Sequence, residues 1–154
     1  MNKCIVAVGG HEKQFQKTVE DNYNVKIADC DQMLQTVIEV LGWDGNKDKK
    51  YYEFYNQLFK LANETFDFKN AYTDRAIKEF EGDSQSQVLI IKGSNELVEN
   101  LENDAGIFNL FVAKNQVEVD GNSNKYDKVI LMDSSFEDSV KNTIDILTKE
   151  IEKA

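Results

Sequence analysis

The sequence predicts one α/β domain of three layers, with a mostly parallel sheet covered by helices. Short apolar runs of strand length recur along the chain, and most of them are followed by an amphipathic helical pattern. Strands that alternate with helices in this way form parallel sheets with right-handed crossovers. The 154 residues are enough for one well-formed core and too few for two domains of ordinary size.

The first strand and the first helix are predicted at the start of the chain. Residues 4–8 form an apolar run of the right length for a buried parallel strand. Gly9 and Gly10 follow, at the place where such a strand turns into a phosphate-binding loop. Residues 12–21 are predicted as a helix, because apolar residues recur there four apart.

The segment after this strand departs from the phosphate-binding motif G-x-x-x-x-G-K-[ST]. In that motif the second glycine lets backbone N–H groups close on the phosphates, and the lysine neutralises their charge. If Gly9 is the first glycine of the motif, the later glycine and lysine positions hold Gln14 and Phe15. The first register therefore lacks both groups.

A second register takes Lys17 and Thr18 as the K-[ST] pair. The two glycine positions then hold His11 and Gln16, so neither register has a glycine beside the lysine. Two interpretations stay open. These residues mark a nucleotide site with a damaged phosphate loop, or the glycine pair is only a tight turn from strand to helix.

Acidic residues follow the second predicted strand, residues 25–28. Asp29 and Asp31 lie at the carboxyl end of this strand, where open α/β sheets bind their ligands. Asp31 also precedes a helix predicted over 32–41 from apolar residues at intervals of three and four. The aspartates either contact a ligand or cap this helix, and capping by Asp31 is the preferred interpretation.

Two long helical patterns occupy residues 42–82. A polar loop that contains Trp43 precedes helices over about 50–64 and 66–80, and Arg75 lies in the second. The first helix has more apolar residues than one buried stripe needs, so part of it is a candidate contact with a partner. Those residues are Tyr51, Tyr52, Phe54, Tyr55, Leu58, Phe59 and Leu61.

The second half of the chain completes the predicted sheet. Consecutive apolar residues predict strands covered on both faces, and a capping box of Ser134 and Glu137 predicts the start of the last helix. The elements are core strands over 87–91, 107–113 and 128–132, a weak edge strand or hairpin arm over 116–120 with a turn at 120–122, and helices over 96–102 and from 134 onward.

Composition and charge restrict the classes of function. The net charge of −10 disfavours direct binding of DNA or RNA and favours a basic partner. No apolar run approaches the length of a membrane span, and the first residues lack a secretory signal pattern. One histidine, His11, cannot build a His-rich metal site. Cys4 and Cys30 are expected as buried, reduced thiols of a cytoplasmic protein.

Arg75 is the one arginine among the 18 lysine and arginine residues. Enzymes that transfer phosphoryl groups place several arginines around the phosphates, because the planar guanidinium group binds two oxygens at once. The basic residues therefore disfavour phosphoryl transfer. An AT-rich genome would also explain the excess of lysine, without any functional meaning.

Four segments together resemble a known family. They are residues 6–9, Ile27-Ala28-Asp29, Gly42-Trp43-Asp44-Gly45 with Lys47-Asp48, and residues 126–130 with Asp133, Ser135 and Glu137-Asp138. Their order and spacing are similar to those of the deoxynucleoside monophosphate kinase-like P-loop proteins of bacteriophages, relatives of adenylate kinase and dephospho-CoA kinase. The resemblance implies a P-loop NTPase-like fold, with residues 42–82 as the monophosphate-binding and lid region, and ATP and Mg²⁺ as cofactors.

The resemblance also implies roles for single residues of an active kinase. Phosphate binding would fall to Gly9, Gly10, Lys17 and Thr18, catalysis to Lys13 or Lys17, magnesium to Thr18, and nucleotide binding to Asp29, Trp43, Tyr52 and Arg75. The departures from the family pattern fall on the residues with chemical roles. Phosphoryl transfer depends on positioning and charge neutralisation, so these departures predict impaired activity.

Two main hypotheses follow. The first is a catalytically impaired, phage-encoded kinase-like protein in the host cytoplasm. It would bind a protein partner, such as a basic host enzyme of defence or DNA processing that it inhibits, or a nucleotide without turnover. The second is an active (deoxy)nucleoside monophosphate kinase that transfers the γ-phosphate of ATP to a dNMP. A homodimer through the aromatic-rich helix is a third expectation.

Overall fold

The computed structural model describes residues 3–93 and 106–153, which form five strands and six helices. The strands are β1 (Cys4–Gly10), β2 (Val25–Asp29), β3 (Val88–Lys92), β4 (Ile107–Ala113) and β5 (Lys128–Leu131). The helices are α1 (Glu12–Glu20), α2 (Cys30–Val40), α3 (Lys49–Phe66), α4 (Phe68–Glu81), α5 (Gln116–Asn122) and α6 (Phe136–Lys153).

The five strands form one parallel sheet in the order β2-β3-β1-β4-β5. β1 lies in the centre, where Val6 pairs with Ile90 of β3 and with Phe108 of β4. Strands that are covered on both faces need consecutive apolar residues, and β1 and β3 consist largely of them. The predicted α/β class with a parallel sheet is confirmed.

Helices cover both faces of the sheet. Successive side chains of a strand point to opposite faces, so Val6 packs with Phe15 of α1 and with α6. Ala7 lies in the opposite core, with Leu34 of α2, Phe59 of α3 and residues of α4. The sheet therefore lies between two helical layers.

The chain leaves the neighbouring strands β1 and β4 in opposite directions. From β1 it crosses through α1 to β2 at one edge of the sheet, and from β4 it crosses through α5 to β5 at the other edge. In open α/β sheets such a divergence leaves a crevice outside the carboxyl ends of the two strands, where ligands bind. This crevice is therefore a candidate site of the fold.

α2 and α3 form a helical hairpin, joined by residues 41–48. Asp31 in the first turn of α2 accepts a hydrogen bond from the Tyr55 hydroxyl of α3. Beyond the other end of α2, Trp43 stacks on Tyr51 in the first turn of α3. α3 continues directly into α4 through Asp67, which has a left-handed backbone with φ of 52°. The segment 42–82 thus consists of the hairpin loop, α3 and α4.

Most predicted elements are present with ends within two residues of the prediction. One element differs in type, because residues 116–122 form the helix α5 and not an edge strand or hairpin arm. The Asn115 side chain caps this helix by accepting a hydrogen bond from the Glu118 N–H at 3.0 Å. Gln116 and Asp120 then hydrogen-bond across one turn at 2.9 Å. The predicted helix over 96–102 lies outside the described residues.

The cap of α2 differs from the prediction by two residues. Asp29, and not Asp31, precedes the helix, and its carboxylate accepts a hydrogen bond from the Gln32 N–H at 3.1 Å. Asp31 lies inside the first turn, where it contacts Tyr55. The strand β2 therefore passes into α2 without an intervening loop.

The start of the last helix is also shifted. α6 begins at Phe136, so Ser135 precedes it, and the predicted capping box of Ser134 and Glu137 is one residue out of register. Asp133 closes the turn, because its carboxylate accepts hydrogen bonds from the N–H group and the hydroxyl of Ser135. These bonds hold the pKa of Asp133 below its usual range, the hydroxyl bond being the larger cause.

Candidate functional site

The junction between β1 and α1 is a single residue, His11. Gly9 and Gly10 belong to β1, where they pair with Phe111 and Val112 of β4. The N–H group of His11 donates a hydrogen bond to the Val112 carbonyl at 3.1 Å, and α1 begins at the next residue. The strand therefore passes into the helix without a loop that could wrap around a phosphate.

Gly10 is required at this junction by its backbone and its surroundings. Its φ is +77°, and a Cβ atom there would lie 2.3 Å from the Val112 carbonyl oxygen. Side chains rarely adopt such a φ, and a contact this short forces the strands apart. The glycine pair thus allows β1 and β4 to pack closely, which is the tight-turn interpretation of the motif.

The residues assigned to phosphate and magnesium lie within α1. Thr18 is buried, and its hydroxyl donates a hydrogen bond to the Gln14 carbonyl at 3.0 Å. Lys13 and Lys17 are exposed on the helix surface. Within the described part of the chain, ATP with Mg²⁺ does not fit this junction, because neither a glycine loop nor a free threonine hydroxyl is positioned for the phosphates. The phosphate roles of these residues stay predictions.

A histidine–glutamate pair bridges the crevice between β1 and β4. The Nε2 atom of His11 lies 3.1 Å from the Oε1 atom of Glu118 in α5, and the same oxygen accepts a hydrogen bond from the Lys114 N–H at 2.9 Å. These bonds lower the pKa of Glu118, and the hydrogen bond from the Lys114 N–H is the larger cause. A carboxylate of the chain itself thus lies at the crevice between β1 and β4.

The sequence prediction missed Glu118 because it placed this residue on an edge strand. The signal was present as Asn115 followed three residues later by Glu118, a spacing typical of a capping box. In the structure Asn115 caps α5, and Glu118 reaches back to the N–H group of Lys114. As evidence for secondary structure, a capping residue with a glutamate three residues later should therefore outweigh the weak alternation of Val117 and Val119 with polar residues.

Asp29 is at the carboxyl edge of the sheet, where it was expected. It caps α2, and its Oδ2 atom lies 3.8 Å from Nζ of Lys92 at the end of β3. Lys92 also donates a hydrogen bond to Oε1 of Gln16 on α1 at 3.0 Å. These contacts connect β2, β3 and α1, and a role of Asp29 in nucleotide binding stays a prediction.

The other nucleotide-binding candidates lie in different places. Trp43 lines a cleft of about 560 Å³, between the end of α2 and the start of α3. Arg75 of α4 lines a second cavity of about 160 Å³ beside β2. Tyr52 is exposed on α3, and its ring meets the edge of the Tyr51 ring at a centroid distance of 5.1 Å. The structure therefore brings Trp43 and Tyr52 near each other through Tyr51, and places Arg75 in a separate cavity.

The cleft at Trp43, which we call the hairpin cleft, is bordered by a loop that forms its own hydrogen bonds. The Trp43 indole stacks on Tyr51 with 4.5 Å between ring centroids and donates a hydrogen bond to the Asn46 carbonyl at 2.8 Å. The N–H group of Asn46 in turn donates to Asp44 at 2.9 Å. Leu41 and Phe54 line the cleft and are exposed. The hairpin cleft thus combines apolar side chains with charged ones such as Asp44 and Lys50.

In the part of the chain that the structure describes, no side chains are arranged for metal binding or thiol chemistry. No group of three or more His, Cys, Asp or Glu residues there could hold a metal ion. Cys4 and Cys30 are buried and unpaired, and burial raises the pKa of each thiol to about 12. In the same described ranges, no helix has the length and apolar character needed to cross a membrane.

Comparison of the chain with protein-family models and with curated proteins finds no match in either. Any statement on function therefore rests on the geometry of the junction and of the hairpin cleft. The kinase-like resemblance stays a prediction from the residues that carry it.

Proposed function

We propose that this chain is a catalytically impaired, nucleoside monophosphate kinase-like protein that acts by binding a protein partner. The observation that supports this most directly is the single-residue junction between β1 and α1. A fold of this class normally binds its ligand at the carboxyl ends of the strands. Here the Gly10–His11 backbone pairs with β4, and the His11 ring lies 3.1 Å from Glu118 at this position.

The junction leaves little for phosphates to bind. Phosphoryl transfer depends almost entirely on positioned donors and cations around the phosphates. The N–H group of His11 is already bonded to Val112, and the Thr18 hydroxyl to Gln14. A phosphate would have to displace these bonds before it could bind, which supports a fold without turnover.

Lys13 and Lys17 are exposed on α1, whereas Lys92 is held by contacts within the chain and Arg75 lines another part of the protein. Lys92 donates a hydrogen bond to Gln16 of α1. Its Nζ atom also lies 3.8 Å from Asp29 at the carboxyl edge of the sheet. Arg75, the one arginine, lines the small cavity beside β2. A single arginine contact to the transferred phosphate can be worth about 10³-fold or more in rate. The distribution of cations therefore supports impaired catalysis.

Exposed apolar residues and acidic charge support partner binding. Exposed apolar residues include Val40 at the end of α2, of which 83% is exposed, Leu41 just after it, and Phe54 and Phe66 of α3. The net charge of −10 favours a basic partner. An enzyme that binds nucleic acid presents such a basic surface, so a host enzyme of defence or DNA processing is the proposed class of target.

The test is a calorimetric titration of the purified chain with ATP, ADP and dNMPs, each with and without Mg²⁺. We expect no heat of binding at millimolar nucleotide and no phosphate transfer to any dNMP. Magnesium-dependent binding of ATP together with turnover would contradict the proposal and establish the alternative, an active (deoxy)nucleoside monophosphate kinase. The variant Lys17→Ala, on an exposed position of α1, would then show whether this lysine reaches the phosphates.

A further inference from the structure

The joint between α3 and α4 is a single residue, Asp67. α3 ends at Phe66 and α4 begins at Phe68, so no loop separates these two long helices. Asp67 has a φ of 52° and a ψ of 48°, and among residues 3–93 and 106–153 it is the one residue other than glycine with a positive φ. This left-handed conformation is disfavoured for residues with a side chain, so it persists only where the surrounding structure imposes it.

The local sequence at the joint lacks the usual signals that end a helix. Helices commonly end at a glycine in the left-handed conformation or shortly before a proline. Residues 46–81 contain neither glycine nor proline. Residues 49–81 could therefore form one continuous helix, about 50 Å long.

Hydrogen bonds of side chains hold the bend. The Asn63 Oδ1 atom accepts a hydrogen bond from the Lys69 N–H at 2.9 Å, whereas in a continuous helix this N–H group would bond to the Thr65 carbonyl. The Asn70 side-chain amide donates to both carboxylate oxygens of Asp67, at 3.0 and 3.2 Å. Aspartate also adopts the left-handed conformation more readily than most residues with a side chain. The bend therefore depends on Asp67 and on the Asn63 side chain.

Aromatic packing across the joint is incompatible with a continuous helix. The rings of Phe59 and Phe68 meet edge to face, with 6.4 Å between their centroids. In one straight helix these positions would lie about 13 Å apart along the axis. A second straight copy can restore the contact, because α3 of each chain then packs on α4 of the other. This is the arrangement of a domain-swapped dimer.

We propose that Asp67 is a conformational switch point of this fold. With Asp67 in the left-handed conformation, the chain after the joint packs on the chain before it. Where the bend is lost, α3 and α4 join into one helix, and the two parts exchange with those of a second copy. The exchange rebuilds the contacts of the monomer between two copies, including the pairing of β3 with β1 and β2. The joint, where the two forms differ, therefore sets the balance between them.

Sedimentation of refolded variants tests the inference. Refolding from urea lets the parts of two copies exchange, and about 0.15 M salt screens the charges of the copies. Asp67→Ala removes the bonds to Asn70 and disfavours the left-handed conformation, and alanine is the strongest helix former. Each joint should then favour the straight form about tenfold more. Because a dimer has two joints, we expect its association constant to rise about a hundredfold over that of the unchanged protein.

Two variants are the controls for Asp67→Ala. Asp67→Gly keeps a residue that adopts the left-handed conformation freely, so it should stay monomeric. Asp48→Ala removes the cap of α3, in which the Asp48 carboxylate accepts a hydrogen bond from the Tyr51 N–H at 2.9 Å. This variant destabilises the same helix without changing the joint, so it should also stay monomeric.

Asn63→Ala is a second, milder test of the joint. It removes the bond to the Lys69 N–H and leaves Asp67 in place. We expect it to raise the association constant in the same direction as Asp67→Ala, by a smaller factor. If Asp67→Ala does not refold, Asn63→Ala alone tests the inference, and an unchanged association constant would then overturn it.

Distances between spin labels distinguish an exchanged dimer from association of intact surfaces. The labels are attached at Asn56→Cys of α3 and Lys78→Cys of α4, which are exposed positions, while burial keeps Cys4 and Cys30 from reacting. In a continuous helix these labels lie about 33 Å apart within one chain. The exchanged dimer should show this distance and, between its two chains, the distance found in the monomer.

A dimer of Asp67→Ala that shows the distance of about 33 Å would support the inference. Three results would overturn it. They are refolding of Asp67→Ala as a monomer, equal dimerisation of Asp48→Ala, or a dimer of Asp67→Ala that shows the label distance of the monomer alone.

Discussion

The β1–α1 junction and the hairpin cleft differ in how completely their surfaces are used. At the junction, Gly10 packs against β4, and His11 is bonded through both its backbone and its ring. At the hairpin cleft, Leu41 and Phe54 are exposed beside a loop that is well ordered by its own hydrogen bonds. In the first region the polar groups are bonded to one another, whereas the second leaves apolar side chains exposed.

This difference shows that the position of a site in a fold and the availability of that site are separate properties. Topology places a ligand crevice at the ends of β1 and β4. Local packing then decides whether the crevice can accept a ligand. Leu41 and Phe54 are apolar and exposed at the hairpin cleft, so that cleft keeps side chains available that the junction does not.

The largest effect is expected for Gly10→Ala, which tests how tightly the junction is packed. The added Cβ atom would meet the Val112 carbonyl at 2.3 Å, in a backbone conformation that alanine rarely adopts. We expect a loss of about 3 kcal/mol or more in the free energy of unfolding, measured by urea denaturation.

Two glycine variants are the matched controls for Gly10→Ala. Gly42 has a positive φ of 108° but no atoms near a built Cβ, so Gly42→Ala should cost only about 1 kcal/mol. Gly121 lies in α5 in open space, and Gly121→Ala should be neutral or slightly stabilising. Equal losses for Gly10→Ala and Gly42→Ala would show that the junction is no more crowded than the loop of the hairpin cleft.

A second prediction compares the two apolar sides of α2. Leu34 is buried in the core, and Val40 is exposed on the same helix. Leu34→Ala should destabilise the protein by about 2–4 kcal/mol through the cavity it leaves. Val40→Ala should change the free energy of unfolding by no more than about 0.5 kcal/mol. Urea denaturation of both variants measures these losses. A large loss for Val40→Ala would mean that this side chain already packs against another part of the protein.

The smallest effect is expected for the pair of His11 and Glu118. The pKa of Glu118 is lowered in the folded protein from its ordinary value of 4.5. The bonds to Glu118 therefore stabilise the fold above that value, and this contribution is lost as the pH falls through the lowered pKa. Glu118→Gln should lower the urea midpoint at neutral pH, and the difference from the unchanged protein should vanish in acid.

Glu64→Gln is the control for this pH dependence. Glu64 is an exposed glutamate of α3, so its replacement removes the same charge without the contacts of Glu118. Its urea midpoint should follow that of the unchanged protein at every pH. A difference between Glu118→Gln and the unchanged protein that persists in acid would show that the carboxylate charge does not carry the effect.

Much of the fold could be predicted because local pattern and global structure agree. The consecutive apolar residues of β1, β3 and β4 predict strands that are covered on both faces, and they form the centre of the sheet. The intervals of three and four in α2 and α6 predict amphipathic helices. These elements need no information from distant parts of the chain.

Other features depend on contacts between distant residues. The β1–α1 segment ends as a strand because His11 bonds to Val112 of β4, and no local pattern contains that contact. α5 was predicted as a strand because Val117 and Val119 alternate with polar residues, although the cap at Asn115 favours a helix. At the site, the place of Asp29 could be predicted, whereas the contact of Glu118 with His11, 107 residues away in the chain, could not.

The central claim is the proposed absence of phosphate binding at the β1–α1 junction. The most direct test is a series of amide NMR spectra of the isotope-labelled chain, titrated with Mg²⁺-ATP. We predict that Mg²⁺-ATP leaves the signals of Gly10 and His11 unchanged. Saturable shifts of these two signals with Mg²⁺-ATP would contradict the claim.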